Sequence, residues 1–169
     1  MSRLPVLGLV AGVAFCLIDQ LVKYAVTGPL GLHDLGDIRE LLPIFNLNYV
    51  ANPGVSLGFL RGESDAARWA LVALTGAIAV GVLVWMWRED NKTDRFALGM
   101  ILGGALGNII DRARLGYVVD YADLHFGTWR PFLVFNLGDA FITVGVLVLL
   151  VRALLVREKP RASVENTHA

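Results

Sequence analysis

Residues 103–139 read GGALGNIIDRARLGYVVDYADLHFGTWRPFLVFNLGD and place ionisable side chains inside or beside two of the most apolar stretches of the chain. Asp120 lies in the polar connection between these stretches, and Asp139 lies about two turns into the second one. A carboxylate near the middle of a membrane helix costs about 2.5–3.5 kcal/mol to insert. We therefore predict that both aspartates have a role in function, and that each is the partner of the other.

The composition around this stretch is that of a membrane protein. Of the 169 residues, 56% are hydrophobic and 18% are charged, and the mean hydropathy is +0.60. Soluble domains are nearer about 45–50% apolar and 25% charged. The formal net charge of zero gives no reason to expect a nucleic-acid partner. One cysteine and three scattered histidines predict no internal disulfide, no metal site and no cofactor.

Four apolar segments predict four transmembrane helices, at about residues 4–26, 66–87, 96–113 and 132–156. About 20 mainly apolar residues are needed to cross a bilayer, so the third segment is marginal. We expect one four-span, all-α membrane domain over residues 1–169, with both termini on one side. The Lys and Arg distribution favours the cytoplasm as that side. The polar residues 157–169 are expected to form a disordered cytoplasmic tail.

The connection between the first two segments is too long for a simple turn. Residues 44–50 alternate like a β-strand, and Asn52-Pro53-Gly54 is a turn signal. Loops of this length usually have a function. We predict a periplasmic loop region with a small β element, in which residues 29–63 act as a clamp or lid over the site.

Two carboxylates in contact would give this region hydrolytic chemistry. With a fourth span starting near Phe132, Asp139 would lie about 10 Å below the membrane boundary, and the loop carrying Asp120 could fold back over it. Two neighbouring carboxyl groups share one proton, so one can activate water while the other polarises a carbonyl. This arrangement predicts an aspartic protease, with the two roles assigned to the pair as a whole. For Asp139 alone, a structural hydrogen bond between helices is an equal alternative.

Amide and guanidinium side chains are expected to support the pair. Asn136 and Asp139 are three residues apart, which would place them on one helical face. Asn108 and Arg112 are four apart at the end of the third segment. Arg112 could orient a carboxylate or bind a substrate carbonyl, or it could be a cation that extends to the membrane interface.

Other charged residues near the site are open to structural interpretations. Asp19 and Lys23 have the spacing of an ion pair within one helix, which would either be structural or brace the site. Asp111 is expected to pair with a nearby arginine. Asp123 is ranked below Asp120 because we expect no apolar surroundings to perturb it.

Small residues recur every four positions in the third segment, at Gly99, Gly103 and Gly107. Such spacing lets helix backbones approach closely in lipid. We therefore predict tight helix packing, which would hold Asn108 and Arg112 in place.

Five ordered motifs extend over most of the chain: Asp19-Gln20 with Lys23, Asn52-Pro53-Gly54, GGALGN at 103–108 with Asp111-Arg112, GYVVDY at 116–121, and FNLGDA at 135–140. In this order and in a four-span context they resemble lipoprotein signal peptidase, the type II signal peptidase of bacteria. The resemblance implies an aspartic endopeptidase, sensitive to globomycin, in the bacterial inner membrane. It would cut a prolipoprotein just before a diacylglyceryl-modified cysteine.

By matching position, the resemblance implies Asp120 and Asp139 as the catalytic pair. It also implies that five residues bind substrate or support the pair: Asn52, Gly54, Asn108, Arg112 and Asn136. Asp19 and Lys23 would be structural neighbours that support the site. The active site would lie near the outer leaflet, and the partners would be the lipidated precursor and membrane lipid. We expect a monomer.

Two positions depart from the family pattern. The family usually has Ala where this chain has Gly138, and Phe where it has Leu57, which leaves substrate preference open. The alternative function is a small membrane transporter that uses Asp139, Asp19 and Lys23 as a proton or cation site. A non-catalytic scaffold is a third possibility. Secondary transporters often contain repeated halves, and this sequence shows no repeat.

Overall fold

The computed structural model describes residues 4–54 and 65–155. It contains, in chain order, α1 (Val6–Thr27), β1 (Ile38–Leu42), β2 (Phe45–Asn52), α2 (Asp65–Arg88), α3 (Lys92–Leu115), β3 (Val118–Leu124) and α4 (Leu137–Leu155). All four helices are long and apolar enough to cross a membrane. The predicted fold class, four membrane helices with a small β element, is confirmed.

Helix α3 is the centre of the bundle, and small residues let its neighbours approach it. A Cβ atom on Gly99 would lie 2.9 Å from the Ala11 side chain, and one on Gly103 would lie 2.7 Å from Cβ of Phe15, both in α1. On the α4 side, a Cβ on Gly145 would lie 2.7 Å from the Ala97 carbonyl oxygen. The predicted close packing of the glycine stripe is confirmed, and it explains how α3 can be the most buried span.

Helix α3 is longer than its apolar segment because both of its ends are capped. Asn91 Oδ1 accepts the N–H groups of Thr93 at 2.8 Å and Asp94 at 3.3 Å, so a polar first turn can join the helix. At the other end Gly116 has φ of 91°, and its N–H donates to the Arg112 carbonyl at 3.1 Å. The marginal third segment is therefore a full span of 24 residues.

The sheet has the antiparallel order β1-β2-β3 and lies at the end of the bundle where α3 ends and α4 begins. Strand β2 confirms the strand predicted from alternation. Strand β3 was not predicted, because its residues were assigned to a polar connection. It pairs with β2 so that Val50 is opposite Asp120 and Asn52 is opposite Val118. The sheet thereby brings Asn52 beside Asp120.

The start of α4 differs from the predicted span. Phe132 and Leu133 are 60% and 91% exposed, and Phe135 forms a β-bridge with Ala122 of β3. The helix begins only at Leu137, so Asp139 lies in its first turn. The predicted position of Asp139, seven residues inside the helix, is wrong, because the apolar residues before Leu137 are not helical and Phe135 instead pairs with Ala122.

Candidate active site

Asp120 and Asp139 lie close together where β3 and the start of α4 meet, and their charges interact. Asp120 is only 2% exposed. Its Oδ1 accepts a hydrogen bond from Asn136 Nδ2 at 2.6 Å, and its Oδ2 accepts one from Asn52 Nδ2 at 2.9 Å. Asp139 Oδ1 accepts from Asn108 Nδ2 at 2.8 Å. Amide groups from three separate parts of the chain therefore hold the two carboxylates in place.

Asn136 links the two aspartates directly. Its Oδ1 accepts the Asp139 N–H at 3.0 Å, and its own N–H donates to Asp139 Oδ2 at 3.3 Å. This reciprocal pair is a capping box, and it starts α4 with a carboxylate at the positive end of the helix dipole. The expectation that both residues share one helical face is wrong, because Asn136 precedes the helix. As a cap, its remaining Nδ2 group is free to bind Asp120.

The environment of Asp120 raises the affinity of its carboxyl group for a proton. Burial is the largest effect and raises the pKa of Asp120 to about 6, and the charge of Asp139 acts in the same direction. The hydrogen bonds from Asn136 and Asn52 oppose this shift because they stabilise the ionised form. A carboxyl group with such a pKa can hold or release a proton near neutral pH, as acid–base catalysis requires.

A buried ionic cluster supports the site from the side of α1. Lys23 Nζ lies 2.8 Å from Asp19 Oδ2 and 2.8 Å from Asp111 Oδ2, and it donates to Asn108 Oδ1 at 3.0 Å. The predicted Asp19–Lys23 ion pair is confirmed. The expected arginine partner of Asp111 is wrong, because a lysine from α1 takes that place. Asp19 Oδ1 also accepts the Gly138 N–H at 2.8 Å, next to Asp139.

Arg112 and Gly54 lie on the other side of the pair. The charge of Arg112 interacts with the carboxylates of both Asp139 and Asp120. Its Nε is buried, with no hydrogen-bond partner among the residues that the structure describes. A Cβ on Gly54 would lie 3.2 Å from Arg112 Nη2, so the guanidinium lies against this glycine. Arg112 therefore faces the site, and the alternative of an interfacial cation is not supported.

The predicted turn at Asn52-Pro53-Gly54 is confirmed. Asn52 Oδ1 accepts the Gly54 N–H at 2.9 Å, which leaves Asn52 Nδ2 for Asp120. Gly54 has φ of +85°, which side-chain-bearing residues rarely adopt.

Gly54→Ala is therefore expected to lower kcat/KM for the chain's substrate by about tenfold or more, since a shifted turn moves the groups at the pair. The new Cβ would lie 2.9 Å from Leu71 as well as 3.2 Å from Arg112. Gly127→Ala is the matched control, because Gly127 lies outside the proposed lid, has φ of +64° and has no described atom within 4 Å of its would-be Cβ. An equal effect of both substitutions on kcat/KM would contradict a site-specific role for Gly54.

Asp123 differs from the expectation in its surroundings. It is 1% exposed, because β3 is buried in the sheet region, so the expectation that it lies in the polar loop without apolar surroundings is wrong. Its Oδ1 lies 3.1 Å from Arg130 Nε. The carboxylate is thus neutralised by an arginine outside the Asp120–Asp139 pair.

Two supporting residues were quoted in the motifs without a predicted role. Gln20 Nε2 donates to Asp111 Oδ1 at 2.9 Å, and the Tyr121 hydroxyl accepts the Leu137 N–H at 3.2 Å. The position of Tyr121 at the start of α4 could be predicted only if β3 had been recognised as a strand. Within residues 4–54 and 65–155, no group of three or more His, Cys, Asp or Glu residues is arranged to hold a metal ion.

Comparison with known proteins identifies the family. The model of the family "Signal peptidase (SPase) II" matches residues 11–155. The chain is 56% identical over 153 residues to the lipoprotein signal peptidase of Rhizorhabdus wittichii, covering 90% of this chain and 88% of that protein. It is also 56% identical over 149 residues to that of Sphingopyxis alaskensis, covering 88% and 85%.

A solved bacterial membrane enzyme shares the fold, with a TM-score of 0.75, 27% identity, and coverage of 89% of this chain and 94% of that one. These findings confirm the resemblance inferred from the five motifs and the expected enzyme class, an aspartic-type signal peptidase. The chain belongs to the signal peptidase II family, the membrane enzymes that remove signal peptides from lipoproteins.

Proposed function

We propose that this chain uses Asp120 and Asp139 as a catalytic pair to cut diacylglyceryl-modified prolipoproteins just before the lipidated cysteine. The observation that carries the proposal is the shared residue Asn136, which donates to Asp120 at 2.6 Å and forms a capping box with Asp139. The side-chain amide of Asn52 donates to Asp120 Oδ2, and that of Asn108 donates to Asp139 Oδ1. Such pre-organisation is what a water-activating pair requires.

In the proposed reaction, one proton is shared by the two carboxyl groups. The ionised group takes a proton from a water molecule, whose oxygen attacks the scissile carbonyl, while the protonated group donates to the carbonyl oxygen. The tetrahedral intermediate then collapses. The carboxyl group that took the water proton donates it to the nitrogen of the lipidated cysteine as the C–N bond breaks, and the other carboxylate takes a proton from a hydroxyl of the intermediate, so that the pair again holds one proton. Arg112 lies beside both carboxylates, and its Nε has no partner within residues 4–54 and 65–155, so it is suited to bind a carbonyl oxygen of the precursor.

The lipid on the substrate explains why such a site should stand at the end of four membrane helices. Each buried methylene contributes about 0.8 kcal/mol to membrane anchoring, so the diacylated cysteine stays in the bilayer. The enzyme must therefore bring carboxylates and water to it. We propose that the end of the bundle with the Asp120–Asp139 pair lies near the outer leaflet of the inner membrane and that both termini are cytoplasmic. We further propose that the chain is a monomer surrounded by lipid. The last part of the proposed lid, residues 55–63 with Leu57, lies outside the described residues.

The transporter alternative is not retained. It used Asp139, Asp19 and Lys23 as a proton or cation site, but Lys23 is already held between Asp19 and Asp111 at 2.8 Å each. A buried ion pair of this kind is a structural support for the neighbouring Asn108. Asp139 accepts hydrogen bonds from Asn108 and from the Asn136 N–H.

The proposed function is tested by incubating the purified full chain with a diacylglyceryl-modified precursor and with the unmodified precursor. We expect cleavage of the modified precursor only, at the bond before the cysteine, and inhibition by globomycin. Equal cleavage of both precursors would contradict the proposed substrate, and cleavage unaffected by globomycin would contradict the proposed site.

The pH dependence of cleavage follows from the raised pKa of Asp120. Because the pair must hold one proton, kcat/KM should fall as the pH rises through about 6, when the free enzyme loses that proton. Bound substrate excludes water and disfavours ionisation further, so kcat should fall only at higher pH. The Asp123→Asn variant should show the same pH dependence of kcat/KM and of kcat as the unmodified chain. A kcat/KM that rises through this range would contradict a shared proton.

A further inference from the structure

Arg68 of α2 reaches across to the C-terminal turn of α3. Its Nε donates to the Arg112 carbonyl oxygen at 2.7 Å, and its Nη2 donates to the carbonyl oxygen of Ala113. Carbonyls in the last turn of a helix either lack a partner within the helix or, like that of Arg112, can accept a second hydrogen bond, and the helix dipole favours a cation there. A guanidinium is the side chain that can satisfy two such carbonyls at once, because its N–H groups form a rigid fork.

The peptide unit that Arg68 binds belongs to a residue of the site. The Arg112 carbonyl accepts hydrogen bonds from Arg68 and from Gly116, while the Arg112 side chain interacts with Asp120 and Asp139. Fixing the backbone of Arg112 limits where its guanidinium can lie. Arg68 is thus connected to the carboxylates through a single residue.

The other contacts that Arg68 makes with described residues do not explain why its side chain points towards α3. Its Nη1 lies 3.7 Å from Asp65, whose side chain is 87% exposed, so this ion pair is screened by water. Its guanidinium carbon lies 5.1 Å from the ring centre of the adjacent Trp69. Neither contact involves α3, whereas both carbonyl hydrogen bonds do.

We propose that Arg68 is a positioning residue for signal-peptide cleavage, which holds the end of α3 so that Arg112 stays against the Asp120–Asp139 pair. The inference rests on the proposed function of that pair. It adds a residue of α2 to a site otherwise built from α1, β2, α3, β3 and α4.

The first test compares Arg68→Met, Arg68→Lys and Arg114→Met in the full chain, with a diacylglyceryl-modified precursor as substrate. Rates are corrected for the folded fraction. Arg68→Met should lower kcat/KM by about ten- to a hundredfold, since small displacements at a reacting centre have effects of that size. Arg68→Lys should recover at least about threefold of this, because an ammonium group can still donate to one carbonyl.

Arg114→Met is the matched control, because Arg114 is exposed in the same last turn of α3. It removes the same charge and should stay within about twofold of the unmodified chain. An Arg68→Met activity within twofold of the unmodified chain would overturn the proposal. So would an equal loss in Arg114→Met, which would reveal a general charge effect.

A second test asks whether Arg68 acts through Arg112. Arg68→Met is repeated in an Arg112→Lys background, with cleavage followed over long incubations at excess enzyme so that weak activity is measurable. We expect less than about a twofold further loss, because residues that act as a unit are not additive. We also expect Arg68→Met to change the same parameter, kcat or KM, as Arg112→Lys does.

A full tenfold or larger further loss in that background would overturn the proposed route. Asp120→Asn, measured alongside, reports separately on the proposed function. If it stays active the catalytic pair is refuted, whereas the coupling of Arg68 to Arg112 is decided by the two tests above.

Discussion

Asp139→Asn is expected to abolish cleavage of a diacylglyceryl-modified precursor, with a loss of at least about a thousandfold in kcat, because an amide cannot take a proton from water. The shape of the side chain is kept, and one oxygen can still accept from Asn108 or from the Asn136 N–H. The second of these hydrogen bonds is lost, so we expect a stability decrease of about 1 kcal/mol, typical of a weakened helix cap. Single-turnover cleavage and thermal unfolding in the same detergent measure the two effects.

The control for this substitution is Asp123→Asn. Asp123 is as buried as Asp120 and lies three residues after it, but it pairs with Arg130. We expect this variant to stay within a few-fold of the unmodified activity, even if its stability falls. An active Asp139→Asn variant, or an inactive but folded Asp123→Asn variant, would contradict the assignment of the pair.

Lys23→Met is expected to reduce the free energy of unfolding by about 3–5 kcal/mol, the usual effect of breaking a buried ion pair. Lys23 is 2.8 Å from two carboxylates, Asp19 and Asp111, so its removal leaves two uncompensated negative charges in the bundle. Asn108 would also lose the donor that fixes its oxygen, and with it the orientation of the amide that binds Asp139. Thermal or denaturant unfolding of the purified chain measures the effect.

A second substitution separates charge from packing. In the Lys23→Met background, Asp111→Asn removes one of the stranded charges and should recover part of the lost stability. Recovery is expected because the unmodified cluster has two carboxylates and one lysine. The double variant has one carboxylate and no lysine, so it carries the same net charge as the unmodified cluster. If Lys23→Met unfolds within about 1 kcal/mol of the unmodified chain, or if Asp111→Asn gives no recovery, the cluster does not stabilise the fold as described.

The sequence was most informative where polar residues interrupt apolar stretches. Asp120, Asp139, Asn108 and Arg112 could all be singled out because ionisable or amide groups near membrane spans need a reason to be there. Four apolar runs were enough to predict the fold class. The motif order then identified the family, and the structure brings the predicted site residues into one region of the molecule.

The boundaries around Asp139 could not be predicted in the same way. A short apolar run such as residues 132–135 has no periodicity that separates strand from helix. Its conformation is decided by pairing with β3, through the bridge from Phe135 to Ala122. The spacing of Asn136 and Asp139 does carry the signature of a capping box, and it would have placed the helix start correctly.

Partners distant in the chain were also beyond sequence reasoning. Asp111 pairs with Lys23, and the α3 carbonyls pair with Arg68, across helix contacts that no local pattern specifies. The glycine stripe predicted that helices would approach closely, but it did not specify which charged residues would meet. Asp123 was misjudged for a related reason, since its burial depends on β3 joining the sheet.

The most direct test of the account compares single-turnover cleavage by Asp120→Asn, by Asp139→Asn and by the double variant, all shown to be folded. Two carboxyl groups that share one proton act as a unit, so removing the second should add almost nothing to the loss caused by the first. We predict that all three variants have the same residual rate. Losses that multiply in the double variant, or a single variant that retains substantial activity, would contradict a catalytic pair.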